Sequence, residues 1–133
     1  MRFKIFIYAI IISLISQTCK EEKPVEFQEV TKTTTNNKLL EIRIPEASGN
    51  DDISKNINSS IHQHVINSLN IKDTEAPALK TIEESIDAFN NEYESFKSDF
   101  PETIIAWEAQ IDGEVMYQSA DVISLSITTY MST

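Results

Sequence analysis

The stretch that most constrains the fold runs from Leu79 to Pro101. Leu79, Ile82, Ile86, Phe89, Tyr93, Phe96 and Phe100 recur at steps of three and four residues, which draws one apolar stripe along a helix. Glu83, Glu84, Asp87, Glu92 and Glu94 lie off that stripe. Pro101 forces the end, because the residue before a proline avoids helical backbone angles. A helix with so many large rings on one side needs another layer to bury them.

The rest of the chain supplies that layer. Val25 to Thr35 is rich in β-branched residues, and Asn36-Asn37 suits a tight turn because Asn tolerates positive φ. Leu40, Ile42 and Ile44 then alternate with Glu41 and Arg43, so the two runs read as a β-hairpin closed by Pro45. Ile53, Ile57, Ile61, Val65 and Leu69 stand four apart with Ile66 beside them, which predicts a helix over about 53–69, capped by Asn50 or Asp51. After Pro101, Ile105, Trp107, Ala109 and Ile111 share one strand face. Asp112-Gly113 is a strong type I′ hairpin signal, with Val115 and Tyr117 continuing the apolar face on the return. Ser119-Ala120-Asp121 links to a last strand from Val122 to Thr129. The expected architecture is α+β, an antiparallel sheet packed on two helices in the order β-β-α-α-β-β-β.

The N-terminus reads as an address. Arg2 and Lys4 precede an almost unbroken apolar run from Ile5 to Ile15. Eleven residues at about 1.5 Å rise cannot span a hydrocarbon core of about 30 Å, but they fit the apolar region of a secretory signal. Cys19 is the single cysteine and follows directly. Ile15-Ser16-Gln17-Thr18-Cys19 resembles the lipidation site of a bacterial lipoprotein, although Ser16 and Thr18 stand where Leu and a smaller residue are usual. The expected organisation is a signal peptide at 1–18, a tether at 19–24 and one domain at 25–133. Lys20-Glu21-Glu22 resembles the surface-export signal of some Gram-negative lipoproteins. The expected location is the cell envelope, with a lipidated Cys19 in the membrane.

Charge narrows the partners. The 133 residues carry 11 basic and 21 acidic side chains, a net charge of −10. Losing Arg2 and Lys4 with the signal leaves −12 on the mature chain. Nucleic acid would be repelled, while a basic ligand is permitted. Chemistry-bearing motifs are scarce. His62 and His64 point about 200° apart on a helix and cannot share a metal. Ser59 and Ser60 lack the glycines of a nucleophile elbow, and two glycines in all allow no phosphate loop. No cofactor is expected. The outer acids of the second helix, Glu83, Glu84 and Asp87, are the candidate ligand-binding surface.

The order of landmarks is similar to a known family. A signal, the hairpin segment EIRIPEASG, a helix with spaced isoleucines and the run FNNEYESFKSDFPETIIAWEAQIDGEVMYQSADVISLSITTY resemble the PdaC-type extracytoplasmic domain over about residues 26–133. That domain precedes the catalytic part of a peptidoglycan deacetylase and occurs in RsiV-type anti-sigma ectodomains that bind lysozyme. The resemblance implies a non-catalytic envelope module whose ligand is peptidoglycan or a cationic protein such as lysozyme. The metal-binding Asp and His residues of the deacetylase belong to its separate catalytic domain and have no counterparts to carry over. Family members continue past a Tyr-x-x-Thr like Tyr130-Met131-Ser132-Thr133 into a second domain. The alternative expectation is therefore a structural half-domain that needs a C-terminal partner.

Overall fold

A computed structural model describes residues 24–34, 40–71, 80–103 and 106–132. Strands β1 (Phe27–Thr33) and β2 (Leu40–Ala47) are followed by helices α1 (Asp52–Leu69) and α2 (Ile82–Asp99), then strands β3 (Glu108–Gln118) and β4 (Ile123–Ser132). The strands form one sheet in the order β1-β2-β3-β4. Both helices pack on the same face of it, so the α+β architecture is as the sequence predicts, with four strands in place of five.

The core is made where the sequence patterns meet. Leu40, Ile42 and Ile44 of β2 and Ala109 and Ile111 of β3 are buried against Ile61, Val65, Ile66 and Leu69 of α1 and Ile82 and Phe89 of α2. Trp107, just before β3, fills the end of this layer. Its ring stands 6.0 Å from Phe89, 5.9 Å from Tyr93 and 5.4 Å from Phe96. The aromatic stripe of α2 is thus a core device, with Ile86, Tyr93 and Phe96 half-buried and Phe100 exposed beyond the helix end. Leu79, Ile105 and the Asn36-Asn37 turn lie outside the described residues.

Helix starts follow local chemistry. Asp51 caps α1 by accepting from the Ser54 amide at 2.9 Å, and this bond holds its carboxyl below the usual carboxylate range. Thr81 and Glu84 form a capping box on α2. The side chain of Asn58 joins α1 to the end of β2, accepting from the Ala47 amide at 2.7 Å and donating to its carbonyl at 2.9 Å.

Three expectations are corrected by the sheet. First, Asp112-Gly113 does not turn. The chain runs straight through it inside β3, and Gly113 has no positive φ, which a type I′ turn requires. The hairpin closes instead at Ser119–Val122, where the Ser119 amide donates to the Val122 carbonyl at 2.8 Å. Second, the sheet is mixed, because β2 and β3 are parallel, joined by the two-helix crossover. Third, Pro45 does not end its strand, for β2 continues to Ala47 and Pro45 stays opposite Glu29 of β1.

The first and third corrections share one cause. A Cβ placed on Gly113 would lie 2.9 Å from Pro45 Cδ and 3.5 Å from Ile44 Cα. Cδ is bonded to the proline nitrogen, so Pro45 turns its donor-less side toward β3. The parallel ladder accordingly ends one step earlier, at Arg43 and Asp112. Gly113 is there for close approach, not for a turn. Gly113→Ala should destabilise the fold by about 1–3 kcal/mol through overpacking. Adding Pro45→Ala in the same chain should recover most of that loss, read by denaturant unfolding of the double-mutant cycle. Additive effects of the two changes would refute the contact.

Beyond Gly113, β3 carries a bulge between Val115 and Tyr117. The extra residue reverses the alternation, so Tyr117 leaves the apolar face that the sequence assigns to it and is 59 % exposed on the opposite side.

Candidate functional site

The sheet has two unlike faces. One is covered by α1 and α2. The other is uncovered among the described residues, and the strand period decides what stands on it. Each residue between the core positions of β2 and β3 points there: Glu41 and Arg43 from β2, and Glu108, Gln110, Asp112 and Glu114 from β3. From β1 come Glu29, Thr31 and Thr33, which register with Pro45, Arg43 and Glu41. From β4 come Ser126, Thr128 and Tyr130, since Leu125, Ile127 and Met131 pack toward the core.

Five carboxylates therefore share this face with one cation. Arg43 is held by Asp112, whose Oδ1 lies 2.8 Å from its Nη2, and by Glu41 at 3.6 Å. The bond to Asp112 pushes the guanidinium pKa further up, so the charge is permanent. Glu29, Glu108 and Glu114 remain exposed around this pair. Tyr117 and the 55 %-exposed Tyr130 stand among them, and tyrosine is a residue enriched at protein interfaces.

The acids singled out on α2 have separate fates. Glu83 pairs with Lys32 of β1, and this contact lowers its pKa. Glu84 accepts from the amides of Lys80 and Thr81 at 2.7 and 3.3 Å, so its carboxylate serves the helix cap. Asp87 is exposed. The structure does not join these three to the sheet face. That face escaped the sequence reading, yet it left a signal: Glu108, Gln110, Asp112 and Glu114 recur at every second position, out of phase with Trp107, Ala109 and Ile111. Taking Asp112-Gly113 for a turn split that run in two.

The histidines sit on α1. His62 Nε2 is 3.3 Å from Glu46 Oε1, and His64 is exposed. Among the described residues, no three His, Cys, Asp or Glu side chains stand together in a way that could hold a metal. No described helix is long and apolar enough to cross a membrane.

A small α+β domain with two helices on one face of a mixed sheet, and an acidic face left open, is the class these features define. Residues 29–133 match the family model for deacetylase PdaC, and the chain belongs to that family. No curated protein and no solved structure matches it.

Proposed function

We propose that this chain is a non-catalytic module of the bacterial cell envelope, anchored through a lipidated Cys19, that holds a basic protein against the open face of its sheet. The single observation that carries the ligand class is the charge of that face, five carboxylates around Arg43 with Tyr117 and Tyr130 exposed beside them. The mature charge of −12 adds long-range attraction for a cationic partner. The non-catalytic reading follows the resemblance, in which the deacetylase of the family's name works through metal ligands in another domain. A lysozyme is the natural first ligand to try, because the resembling anti-sigma ectodomains bind one.

Peptidoglycan is the second reading, favoured by the hydroxyls of Ser126 and Thr128 beside Tyr130. Salt separates the two. The screening length falls from about 10 Å at 0.1 M to about 3 Å at 1 M, so binding of a basic protein should weaken roughly tenfold or more over that range. Binding of a glycan, held by hydrogen bonds and ring stacking, should change little. The experiment is a lysozyme titration beside sedimentation with purified peptidoglycan, each at both salt concentrations. Glu29→Lys with Glu114→Lys should weaken lysozyme binding, while Glu83→Lys with Asp87→Lys should leave it nearly unchanged. The reverse outcome would place the site on α2. Failure of the folded protein to bind either ligand would leave a structural half-domain as the better account.

A further inference from the structure

Ile53 belongs by spacing to the buried stripe of α1, yet it is 60 % exposed. Val122, in the β3–β4 turn, is 56 % exposed. The two line one open cleft of about 670 Å³ together with Pro24, Val25 and Ile123. Two bare aliphatic side chains lining one cleft at the same end of the molecule call for a cover.

What covers them is indicated by the way the chain joins the domain. Pro24 is on the rim of this cleft. The backbone there is tied down: Gln118 Nε2 donates to the Val25 carbonyl at 2.7 Å, and the Ser48 amide donates to the Glu26 carbonyl at 2.7 Å. From Cys19 to Pro24 is five residue steps, which fully extended reach at most about 18 Å. Tyr130, seven residues along β4 from Ile123, stands roughly 23 Å further from this end. An acylated Cys19 therefore holds the Ile53 and Val122 end of the domain within about 18 Å of the lipid surface, nearer than Tyr130 when the strands stand upright.

We propose that this end rests on the bilayer, with Ile53 and Val122 set among zwitterionic headgroups. The inference rests on the lipid anchor proposed above. Charge selects the lipid. Glu26, Asp51 and Asp121 line the same cleft, and Asp52 adjoins it, so the surface suits ammonium-bearing headgroups and is repelled by anionic ones. The strands then rise away from the membrane, and the acidic sheet face stands clear of it for a ligand.

The test uses the acylated protein in vesicles of phosphatidylcholine and phosphatidylethanolamine. Acylation consumes the thiol of Cys19, so a cysteine introduced by Ile53→Cys, Val122→Cys or Tyr130→Cys takes an environment-sensitive fluorophore alone. Labels at 53 and 122 should emit at shorter wavelength and be quenched by nitroxides on the acyl chains, while the label at 130 should behave as in water. Adding phosphatidylglycerol should reduce the shift. Water-like emission at all three positions would overturn the proposal, as would a stronger shift with anionic lipid. Shifted emission at 53 and 122 in lipid-free Cys19→Ser protein would also overturn it, since a protein surface would then be the cover. Mass spectrometry of Cys19 separates the two claims. If it carries no acyl chain the anchor fails, and the mature Cys19→Ser chain, labelled at its introduced cysteine and joined to an aminooxy lipid through the aldehyde formed by periodate oxidation of its N-terminal serine, then decides the orientation by the same labels.

Discussion

Phe89→Ala should lower the stability of the domain by about 3–5 kcal/mol, a large part of the roughly 5–15 kcal/mol that a domain of this size possesses. Phe89 is 2 % exposed and packs between α2 and the sheet, with its ring 6.0 Å from that of Trp107. Truncation removes apolar surface from the core and leaves a cavity beside the single tryptophan. The melting temperature should fall by about 10 °C or more. Trp107 fluorescence should change in the folded state as well, because the ring loses a neighbour on one side. Phe100→Ala, at an exposed position past the helix end, should cost far less. A Phe89→Ala protein as stable as the parent would mean that the stripe of α2 does not face the core.

Cys19→Ser should release the protein from the membrane fraction or leave it unprocessed, an all-or-none change in partition. The reason is chemical. Thioether formation needs the sulfur, and a serine hydroxyl does not replace it. Two or more acyl chains, each contributing about 0.8 kcal/mol per buried CH₂, make anchoring stable, whereas single exposed side chains such as Ile53 and Val122 offer a bilayer far less apolar surface. Fractionation of membranes with mass spectrometry of the N-terminal peptide checks this. A serine variant that still partitions with membranes and keeps a lipid would sink the anchor.

Between these two experiments lies the question of which residues speak for themselves. The α2 stripe was legible because its step of three and four residues suits nothing but one helix face, and Pro101 stops it for a local steric reason. The cap of α1 was legible because Asp51 needs only the amide of Ser54, three residues away. The faces of β2 and of the first half of β3 were legible because Leu40, Ile42 and Ile44, and likewise Trp107, Ala109 and Ile111, alternate with polar residues.

Neighbour choice was not legible. Alternation looks the same in a parallel and an antiparallel strand, so nothing in Leu40–Ile44 announces that β3 runs alongside it in the same direction. Gly113 is the sharpest case. A glycine after an aspartate has two uses, a positive φ in a turn or room for another backbone, and local sequence cannot tell them apart. The choice was made by Pro45, a residue 68 positions earlier, whose ring occupies the space that a side chain would need. Once that contact keeps β3 straight, the alternate acids from Glu108 to Glu114 fall on one face with Glu41 and Glu29, and the candidate docking surface exists. By itself the sequence determined the two helices, the cap of α1 and the apolar faces of β2 and of the start of β3, because each depends on groups within a few residues. Strand neighbours, the bulge that turns Tyr117 outward and the exposure of Ile53 were decided by tertiary structure, because each depends on groups that are distant along the chain and adjacent only once the sheet has formed.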